Sequence, residues 1–146
     1  MTQIRELSEG QTHLAYPAMV QLRTGIGSVQ EFVERVRDQH AAGYRLLGVF
    51  ENDDDALAVC GFRLGQNLAW GRHLYVDDLS TVPAARGRGF GGSLLEWVHA
   101  EARRLGCGQV HLDSGVQPER ASAHRLYFGQ RYRISSYHFQ QMVPPD

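Results

Sequence analysis

The sequence predicts one α/β domain of the α+β type, with a single mixed, mostly antiparallel central sheet flanked by about four helices. Its 146 residues are 42% apolar and 21% charged, an ordinary composition for a globular domain, so we expect one domain over residues 1–146. A strand-like segment precedes two helix-like segments, and three strand-like segments with short connections follow, which is typical of antiparallel pairing. Residues 74–105 then run in the order strand, glycine-rich turn, helix.

The N-terminal third contains one predicted strand and two predicted helices. Residues 3–7 alternate apolar and polar side chains, as a half-buried strand does. Over residues 12–22 and 28–40, apolar residues recur at intervals of three and four, which predicts two helices separated by a glycine-containing break. Ser28 and Glu31 form a capping box that marks the start of the second helix.

The middle of the chain predicts a hairpin and a third strand. Residues 44–50 and 56–64 are strand-like runs that enclose an acidic turn at residues 51–55. Because exposed charge in a turn usually serves only solvation, we interpret this acidic run as a solvated turn rather than an amine-binding site. Residues 71–82 continue as the next strand.

The C-terminal third is predicted to contain two helices and two strands. Residues 91–105 have one apolar face at helical spacing, and Gly106 ends this helix. Residues 109–113 predict a short strand, residues 118–128 a helix with proline in its first turn, and residues 134–142 the last strand.

The glycine-rich turn is the strongest functional signal in the sequence. Its glycines remove side chains at the start of a helix, where backbone N–H groups lack partners and the dipole is positive, so a phosphate can approach closely. Its arginines add permanent cations whose planar forks suit phosphate oxygens. We therefore predict a pyrophosphate-binding loop formed by Arg86, Gly87, Arg88, Gly89, Gly91 and Gly92.

A dinucleotide is one ligand that such a loop can bind. Residues 87–92 satisfy the pattern G-x-G-x-x-G, and Asp113 lies at a suitable distance downstream for a ribose-binding acid. In that fold, however, the first glycine follows its strand directly, whereas residues 83–86 intervene here. Only 33 residues follow Asp113, too few to complete a doubly wound sheet, so a dinucleotide fold is disfavoured.

The same turn, together with a later segment, resembles the acetyl-CoA-binding core of the GCN5-related N-acetyltransferase (GNAT) family. Residues 86–91 meet the family signature Arg/Gln-x-x-Gly-x-Gly/Ala. Residues 123–132 are similar to the family segment Ala-x-x-Leu-Tyr-x-x-x-Gly-Phe, with its tyrosine at Tyr127. The sequence departs from the family pattern at residues 130–132, which replace the usual Gly-Phe, and at Arg120, where asparagine is common.

This resemblance implies an acetyl-CoA-dependent enzyme that acetylates a primary amine by direct attack in a ternary complex. It also implies the GNAT fold, in which the central strands splay apart in a V and a bulged strand carrying residues 79–81 bonds the pantetheine arm through its backbone. The cofactor contacts implied are Leu79, Ser80, Thr81, Val82, Arg86, Gly87, Arg88, Gly89, Phe90, Gly91, Gly92 and Ser93.

The catalytic candidates are one tyrosine and two aspartates. By resemblance, Tyr127 donates a proton to the departing thiolate, although packing in a helix is the alternative role. Asp77 or Asp78 serves as the base or orients the ammonium group of the substrate. Because successive strand side chains point to opposite faces, we expect only one aspartate to reach the site, with Asp78 preferred.

The acceptor is left open by the sequence. In the family, the helical pair after the first strand shapes the acceptor side, so Tyr16, Leu22 and Ile26 are either substrate contacts or core residues, and core packing is favoured. Small amines, amino acids, antibiotics and protein N-termini all remain candidates. The sequence also leaves open whether the chain forms a homodimer.

A non-catalytic acyl-CoA-binding regulator of the same fold is the main alternative function. Such a protein would need residues 86–91 but neither Tyr127 nor the aspartates, so their presence favours an enzyme.

Other function classes are disfavoured by composition and spacing. The seven histidines form no ligand spacing, so we expect no metal, and no Gly-x-Ser-x-Gly elbow is present for a serine hydrolase. A net charge of −1 without a basic block argues against nucleic acid as a partner. No apolar run reaches the roughly 20 residues needed to cross a membrane. Two cysteines without a metal spacing suggest a reduced, cytoplasmic protein.

Overall fold

The computed structural model describes residues 1–146, which divide into two compact units, residues 1–112 and residues 113–146. The first unit contains five strands and three α-helices, and the second contains one α-helix. Short 3-10 turns occur at Glu9–Ala15, Pro83–Ala85 and Pro118–Arg120. The elements are β1 (Gln3–Glu6), α1 (Tyr16–Leu22), α2 (Val29–Ala41), β2 (Tyr44–Phe50), β3 (Ala58–Asn67), β4 (Gly71–Thr81), α3 (Phe90–Arg104), β5 (Gln109–Leu112) and α4 (Ala121–Gly129).

The five strands form one mixed sheet in the order β1-β2-β3-β4-β5. The first four strands pair antiparallel with their neighbours through short connections. β4 pairs in parallel with β5, because the crossover between them passes through α3. The sheet and its four helices confirm the predicted fold class.

The core of the first unit lies where α1 and α2 pack near β2 and β3. β2 is buried along almost its whole length, as expected for a central strand covered on both faces. α2 contributes Phe32 and Val36, and α1 contributes Ala18 and Met19, all less than 9% exposed. α3 packs against β3, β4 and β5 and buries its own apolar face, formed by Leu94, Leu95, Val98 and Ala102.

The starts of the two N-terminal helices follow from single residues. The helix predicted over residues 12–22 becomes α-helical only at Tyr16, because Pro17 lacks an N–H and fits only the first turn of an α-helix. α2 starts as predicted, since the Ser28 hydroxyl accepts a hydrogen bond from the Glu31 N–H at 3.2 Å.

The second unit is organised by the end of α4. The N–H of Tyr132 donates to the Tyr127 carbonyl at 2.9 Å and the N–H of Arg131 to the Phe128 carbonyl at 3.0 Å, which is the Schellman pattern of helix termination. Arg131 has φ 69°, a left-handed conformation normally taken by glycine at this position. The family's Gly-Phe pair is therefore replaced here by Arg-Tyr, and the helix still ends in the geometry that glycine would favour.

The strand predicted over residues 134–142 is wrong. Residues 130–146 contain no regular secondary structure, because no ladder of backbone hydrogen bonds forms on them. The large apolar residues of this predicted strand are between 76% and 89% exposed, namely Ile134, Tyr137, Phe139 and Met142. In the whole chain, no helix has both the length and the apolar character needed to span a membrane.

Candidate active site

A bulge in β4 places two neighbouring aspartates at one point of the sheet. Phe62 of β3 pairs with Val76, and Gly61 pairs with Asp78, so Asp77 is the additional residue of a β-bulge. The bulge interrupts the alternation of side chains along the strand, and both aspartates line the same cavity. The expectation that only one of them reaches the site is therefore wrong.

The cavity beside this bulge has a volume of about 410 Å³. Side chains of α1 and α2 and of the loop between them provide an apolar part, formed by Met19, Ile26, Phe32 and Val36. The strands and the same helices provide a polar part, formed by Arg23, Arg35, Gln39, Tyr44, Arg63, Asp77 and Asp78. The cavity therefore has one apolar wall and a polar part rich in charged groups, a combination that suits a small polar molecule with an apolar segment.

Of the three residues considered as acceptor contacts, only Ile26 lines this cavity. The Tyr16 hydroxyl donates to the Gly27 carbonyl at 2.6 Å, and its ring packs against Phe32 with a centroid distance of 5.7 Å. Tyr16 therefore supports the loop between α1 and α2, and Leu22 is not part of the cavity lining.

Two donors hold the carboxylate of Asp78. The Tyr44 hydroxyl donates to Oδ2 at 2.7 Å, and Nε of Arg23 donates to Oδ1 at 2.8 Å. Arg23 also donates from Nη2 to the Asp77 carbonyl oxygen at 2.8 Å. Because each carboxylate oxygen of Asp78 has its own donor, the side chain is fixed in the wall of the cavity.

Arg63 holds the carboxylate of Asp77. Its Nη2 donates to Oδ2 at 2.7 Å and its Nε at 3.1 Å, so two nitrogens of the guanidinium contact one carboxylate. Gln39 accepts a further bond from Nη2 at 2.8 Å, and the guanidinium lies 5.3 Å from the centroid of the Tyr44 ring. These contacts tie α2, β2, β3 and β4 together around the two aspartates.

Burial changes the acid–base character of this cluster. Burial is the largest influence on the pKa of Asp77, which lies above its ordinary value despite the opposing contacts with Arg63. Burial, followed by the charge of Asp78, raises the pKa of Tyr44 well above its ordinary value, so the phenol stays protonated and remains a donor. Burial also raises the pKa of the Cys60 thiol, which is inert at neutral pH.

β4 continues beyond its pairing with β5. The last parallel pair joins Val76 to Leu112, whereas residues 78–81 have partners only on the β3 side. β5 itself ends at Leu112, so Leu79, Ser80 and Thr81 have no strand partner on the side of β4 opposite β3. The bulge expected in the strand that carries these three residues is present, and it lies at Asp77, two residues before Leu79.

Val82 ends this open stretch with its backbone already bonded. Its N–H donates to the Leu57 carbonyl at 2.9 Å, and its carbonyl accepts from Ala85 at 3.0 Å. Val82 is therefore fixed at the junction between β4 and the turn before α3.

The glycine–arginine turn has the backbone shape expected of an anion-binding loop. Gly87 and Gly89 have φ values of 82° and 83°, left-handed conformations that favour glycine. Gly89 is the N-cap of α3, and the first bond within the helix runs from the Ser93 N–H to the Gly89 carbonyl at 3.1 Å. The N–H groups of Phe90, Gly91 and Gly92 therefore have no partner within the helix.

The two arginines of the turn differ in their partners. Arg88 forms an ion pair with Glu51 and lies 4.7 Å from the centroid of the Phe90 ring. Arg86 makes only a long contact of 3.4 Å from Nε to the Thr81 carbonyl and is exposed. The acidic turn after β2 is thus not merely solvated, because one of its carboxylates neutralises Arg88. Ser93 has its hydroxyl 3.2 Å from the Gly89 carbonyl.

Tyr127 lies three residues before the C-cap of α4 in the second unit. It is 8% exposed, and its ring meets that of Tyr132 edge to face at a centroid distance of 6.2 Å. This ring contact is the apolar pair that normally accompanies a Schellman motif. The packing fixes the side chain within its own unit.

Sequence reasoning missed the residues that surround the aspartates. Arg23, Tyr44 and Arg63 lie 55, 34 and 14 positions from the aspartates they contact, and no short motif links residues so far apart. The one available signal was Arg63, a charge that interrupts an otherwise apolar strand. In the whole chain, no group of three or more His, Cys, Asp or Glu side chains is arranged to hold a metal ion.

Comparison with known proteins supports an acetyltransferase assignment. The model of the acetyltransferase (GNAT) family matches residues 15–130. The uncharacterised N-acetyltransferase YhdJ of Bacillus subtilis (strain 168) is 34% identical over 131 residues, which cover 88% of this chain and 89% of that protein. An aminoalkylphosphonate N-acetyltransferase of Salmonella typhimurium is 33% identical over 68 residues, 47% of this chain and 43% of that protein.

Solved structures show the same fold. The aminoglycoside N-acetyltransferase AAC(6')-Iy, in complex with CoA, has a TM-score of 0.82 at 13% identity, with 98% of this chain and 95% of that chain covered. An acetyltransferase from Agrobacterium tumefaciens (strain C58) has a TM-score of 0.82 at 20% identity, with 97% and 99% covered. The match to the family over most of the chain decides the assignment, and the chain belongs to the GNAT family of N-acetyltransferases.

Proposed function

We propose that the protein transfers an acetyl group from acetyl-CoA to a primary amine by direct attack in a ternary complex. The observation that carries this proposal is the position of the aspartate pair on β4. Asp77 and Asp78 line a cavity, residues 79–81 have no strand partner on the side opposite β3, and the start of α3 offers the N–H groups of residues 90–92. One continuous stretch of chain therefore joins an amine-binding cavity to a phosphate-binding turn.

The turn and the open edge of β4 suit the binding of acetyl-CoA, which supplies an activated acetyl thioester. The N–H groups of Phe90, Gly91 and Gly92 and the positive end of the α3 dipole would hold the pyrophosphate, assisted by Arg86. The left-handed glycines keep side chains away from that position. The β4 backbone at residues 79–81 would bond the pantetheine arm in the manner of an added strand.

The aspartates would receive the amine. An ammonium group entering the cavity meets the carboxylates of Asp77 and Asp78, and losing a proton makes its nitrogen nucleophilic. The raised pKa of Asp77 brings its carboxylate closer to the basicity that such a transfer needs. Proton removal directly, removal through water, and simple orientation of the ammonium are three roles that this arrangement supports.

Tyr127 would act at the other end of the reaction. When the C–S bond breaks, its phenol would donate a proton to the departing thiolate of CoA. Its burial and ring packing in α4 supply a fixed donor, although they would equally suit a structural tyrosine.

The names of the relatives do not select one acceptor. An aminoalkylphosphonate combines an amine with an anion, whereas an aminoglycoside carries several amines. The acceptor must therefore be decided from the chemistry of the cavity itself.

The test combines turnover with cofactor binding. We expect a panel of primary amines to release free thiol from acetyl-CoA, and CoA, but not NAD, to raise the melting temperature. Tyr127→Phe keeps the ring and should lower turnover by on the order of 10²-fold with little change in CoA binding.

Each outcome of that test has a distinct meaning. Normal turnover of Tyr127→Phe would make Tyr127 a packing residue and assign the proton to water or another group. Stabilisation by CoA without acetylation of any amine would favour the non-catalytic acyl-CoA-binding alternative. Stabilisation by NAD alone would contradict the cofactor assignment.

A further inference from the structure

The cavity beside the β4 bulge carries more positive than negative charge. Its lining includes the carboxylates of Asp77 and Asp78 and the guanidinium groups of Arg23, Arg35 and Arg63. Because arginine stays protonated in proteins, three fixed cations face two carboxylates. A site that only attracted an ammonium ion would have no use for the third cation.

Two of these arginines hold the aspartates and keep further donors available. Arg23 uses Nε and Nη2 on the aspartate pair. Arg63 uses Nε and Nη2 on Asp77 and on Gln39. The Nη1 group of each arginine has no hydrogen-bond partner within the chain, so each can donate to an anion without releasing its aspartate.

Arg35 is the cation without a partner. It forms no hydrogen bond or ion pair in the chain and is exposed at the cavity wall. It lies one helical turn from both Phe32 and Gln39, two other cavity residues of α2, so the three share one helix face. Arg37, two residues further on, pairs with Glu9 instead and does not line the cavity.

From this arrangement we infer that the acceptor is a small primary amine that also carries an anionic group, a carboxylate or a phosphoryl or phosphonyl group. The inference rests on the proposed function, because it names the acceptor of the same cavity. The ammonium end meets Asp77 and Asp78, and the anionic end meets Arg35 and the free Nη1 donors. The apolar wall formed by Met19, Ile26, Phe32 and Val36 suits a short alkyl link between the two ends.

The same charge balance selects against polycations. A diamine would place its second ammonium among the arginine side chains, where like charges repel. The volume of about 410 Å³ also lies in the lower part of the range for ligand pockets, about 300–1,000 Å³, and fits a small molecule.

The test uses acceptors that share a chain of three methylene groups. We would compare kcat/KM for 3-aminopropylphosphonate and 4-aminobutyrate with that for 3-aminopropanol and 1,3-diaminopropane. We expect at least one anionic amine to exceed the neutral amine by about tenfold or more, with the diamine lowest. A neutral amine or diamine that equals or exceeds both anionic amines would overturn the inference while leaving the acetyltransferase intact.

Two arginine variants of α2 test whether Arg35 causes the preference for anionic amines. Arg35→Gln should reduce the ratio of kcat/KM between the anionic and neutral amines to within about threefold, mainly through KM. The matched control Arg37→Gln removes an arginine of α2 outside the cavity and should leave the ratio unchanged. Loss of the ratio in both variants, or in neither, would contradict the role of Arg35.

Direct binding separates this inference from the proposed function. Calorimetric titration of each amine into the CoA complex measures the preference without turnover. Tighter binding of an anionic amine supports the inference even if no amine is acetylated, an outcome that would overturn only the proposed function. The preference should also weaken as NaCl is raised from about 0.05 to 0.5 M, because salt screens the charges. Equal binding of all four amines would overturn the inference.

Discussion

The packing of Tyr44 on Gly61 predicts how sensitive the aspartate cluster is to one added methyl group. Gly61 lies in β3 between Leu46 of β2 and Asp78 of β4. A Cβ atom built on Gly61 would overlap Oη, Cζ and Cε1 of Tyr44. In Gly61→Ala the ring must therefore move, and its hydroxyl must give up the 2.7 Å bond to Asp78.

The expected cost of Gly61→Ala follows from three terms. Overpacking a buried site costs about 1–3 kcal/mol. Losing a hydrogen bond to a charged group, with Tyr44 only 4% exposed, costs about 1.5–3 kcal/mol. Replacing glycine within a strand returns about 0.5–1 kcal/mol of backbone entropy. The net loss in the free energy of unfolding is about 1.5–5.5 kcal/mol, which lowers the melting temperature by roughly 5–20 °C.

Urea unfolding of single and double variants measures how far the cost of Gly61→Ala depends on the Tyr44 side chain. Tyr44→Leu keeps much of the side-chain volume but lacks the three overlapping atoms, so adding Gly61→Ala to it should cost less than about 1 kcal/mol. Gly108→Ala is the control, because a Cβ there meets no atom within 4 Å, and it should change stability by less than about 0.5 kcal/mol. An equal cost of Gly61→Ala with Tyr or Leu at position 44 would refute the reasoning.

Two further predictions concern the helix terminus and the buried acids. Arg131→Gly should stabilise the protein by about 0.5–1 kcal/mol, since relief of the left-handed strain exceeds the added entropy of the unfolded chain; destabilisation in urea unfolding would contradict this. Burial raises the pKa values of Cys60 and Tyr44, so their contribution to stability is complete at neutral pH. This contribution is lost as the pH rises past about 8.5, where the thiol ionises in the unfolded chain, and past about 10, where the phenol does so. Urea unfolding between about pH 7 and 10.5 should show this decline, Cys60→Ala should remove its lower part, and a flat profile would contradict it.

Local patterns in the sequence were sufficient to predict most of the fold. The strand at residues 44–50 was predicted with its observed bounds, and the helix predicted at residues 91–105 is displaced by a single residue, because apolar periodicity and glycine punctuation act locally. The predicted strand at residues 134–142 failed because a strand also needs a neighbour, and strand propensity does not reveal whether one is present. The start of α1 depended instead on a local signal that apolar periodicity does not include, because Pro17 fits only the first turn of the helix.

The two aspartates of the candidate site could be predicted from the sequence, but the side chains that surround them could not. Asp77 and Asp78 stood out as two acids on a strand, but the assumption of strict alternation gave them opposite faces. A bulge depends on how β3 and β4 pair, which is a property of two segments rather than of one. The same pairing brings Arg63 to Asp77, because Arg63 lies on β3, whereas Arg23 reaches Asp78 because α1 packs against β4.

The bulge at Asp77 also lies where the pairing of β4 with β5 ends, so the cavity and the unpaired edge of β4 are adjacent. An additional residue in β4 turns two successive side chains toward one cavity, and it increases the local twist of the strand. β4 pairs with β5 only up to Val76, the residue before the insertion, and β5 ends there at Leu112. The carboxylates that would receive the amine are consequently followed at once by the backbone that would hold the acetyl donor. This proximity is what direct transfer between two bound substrates requires.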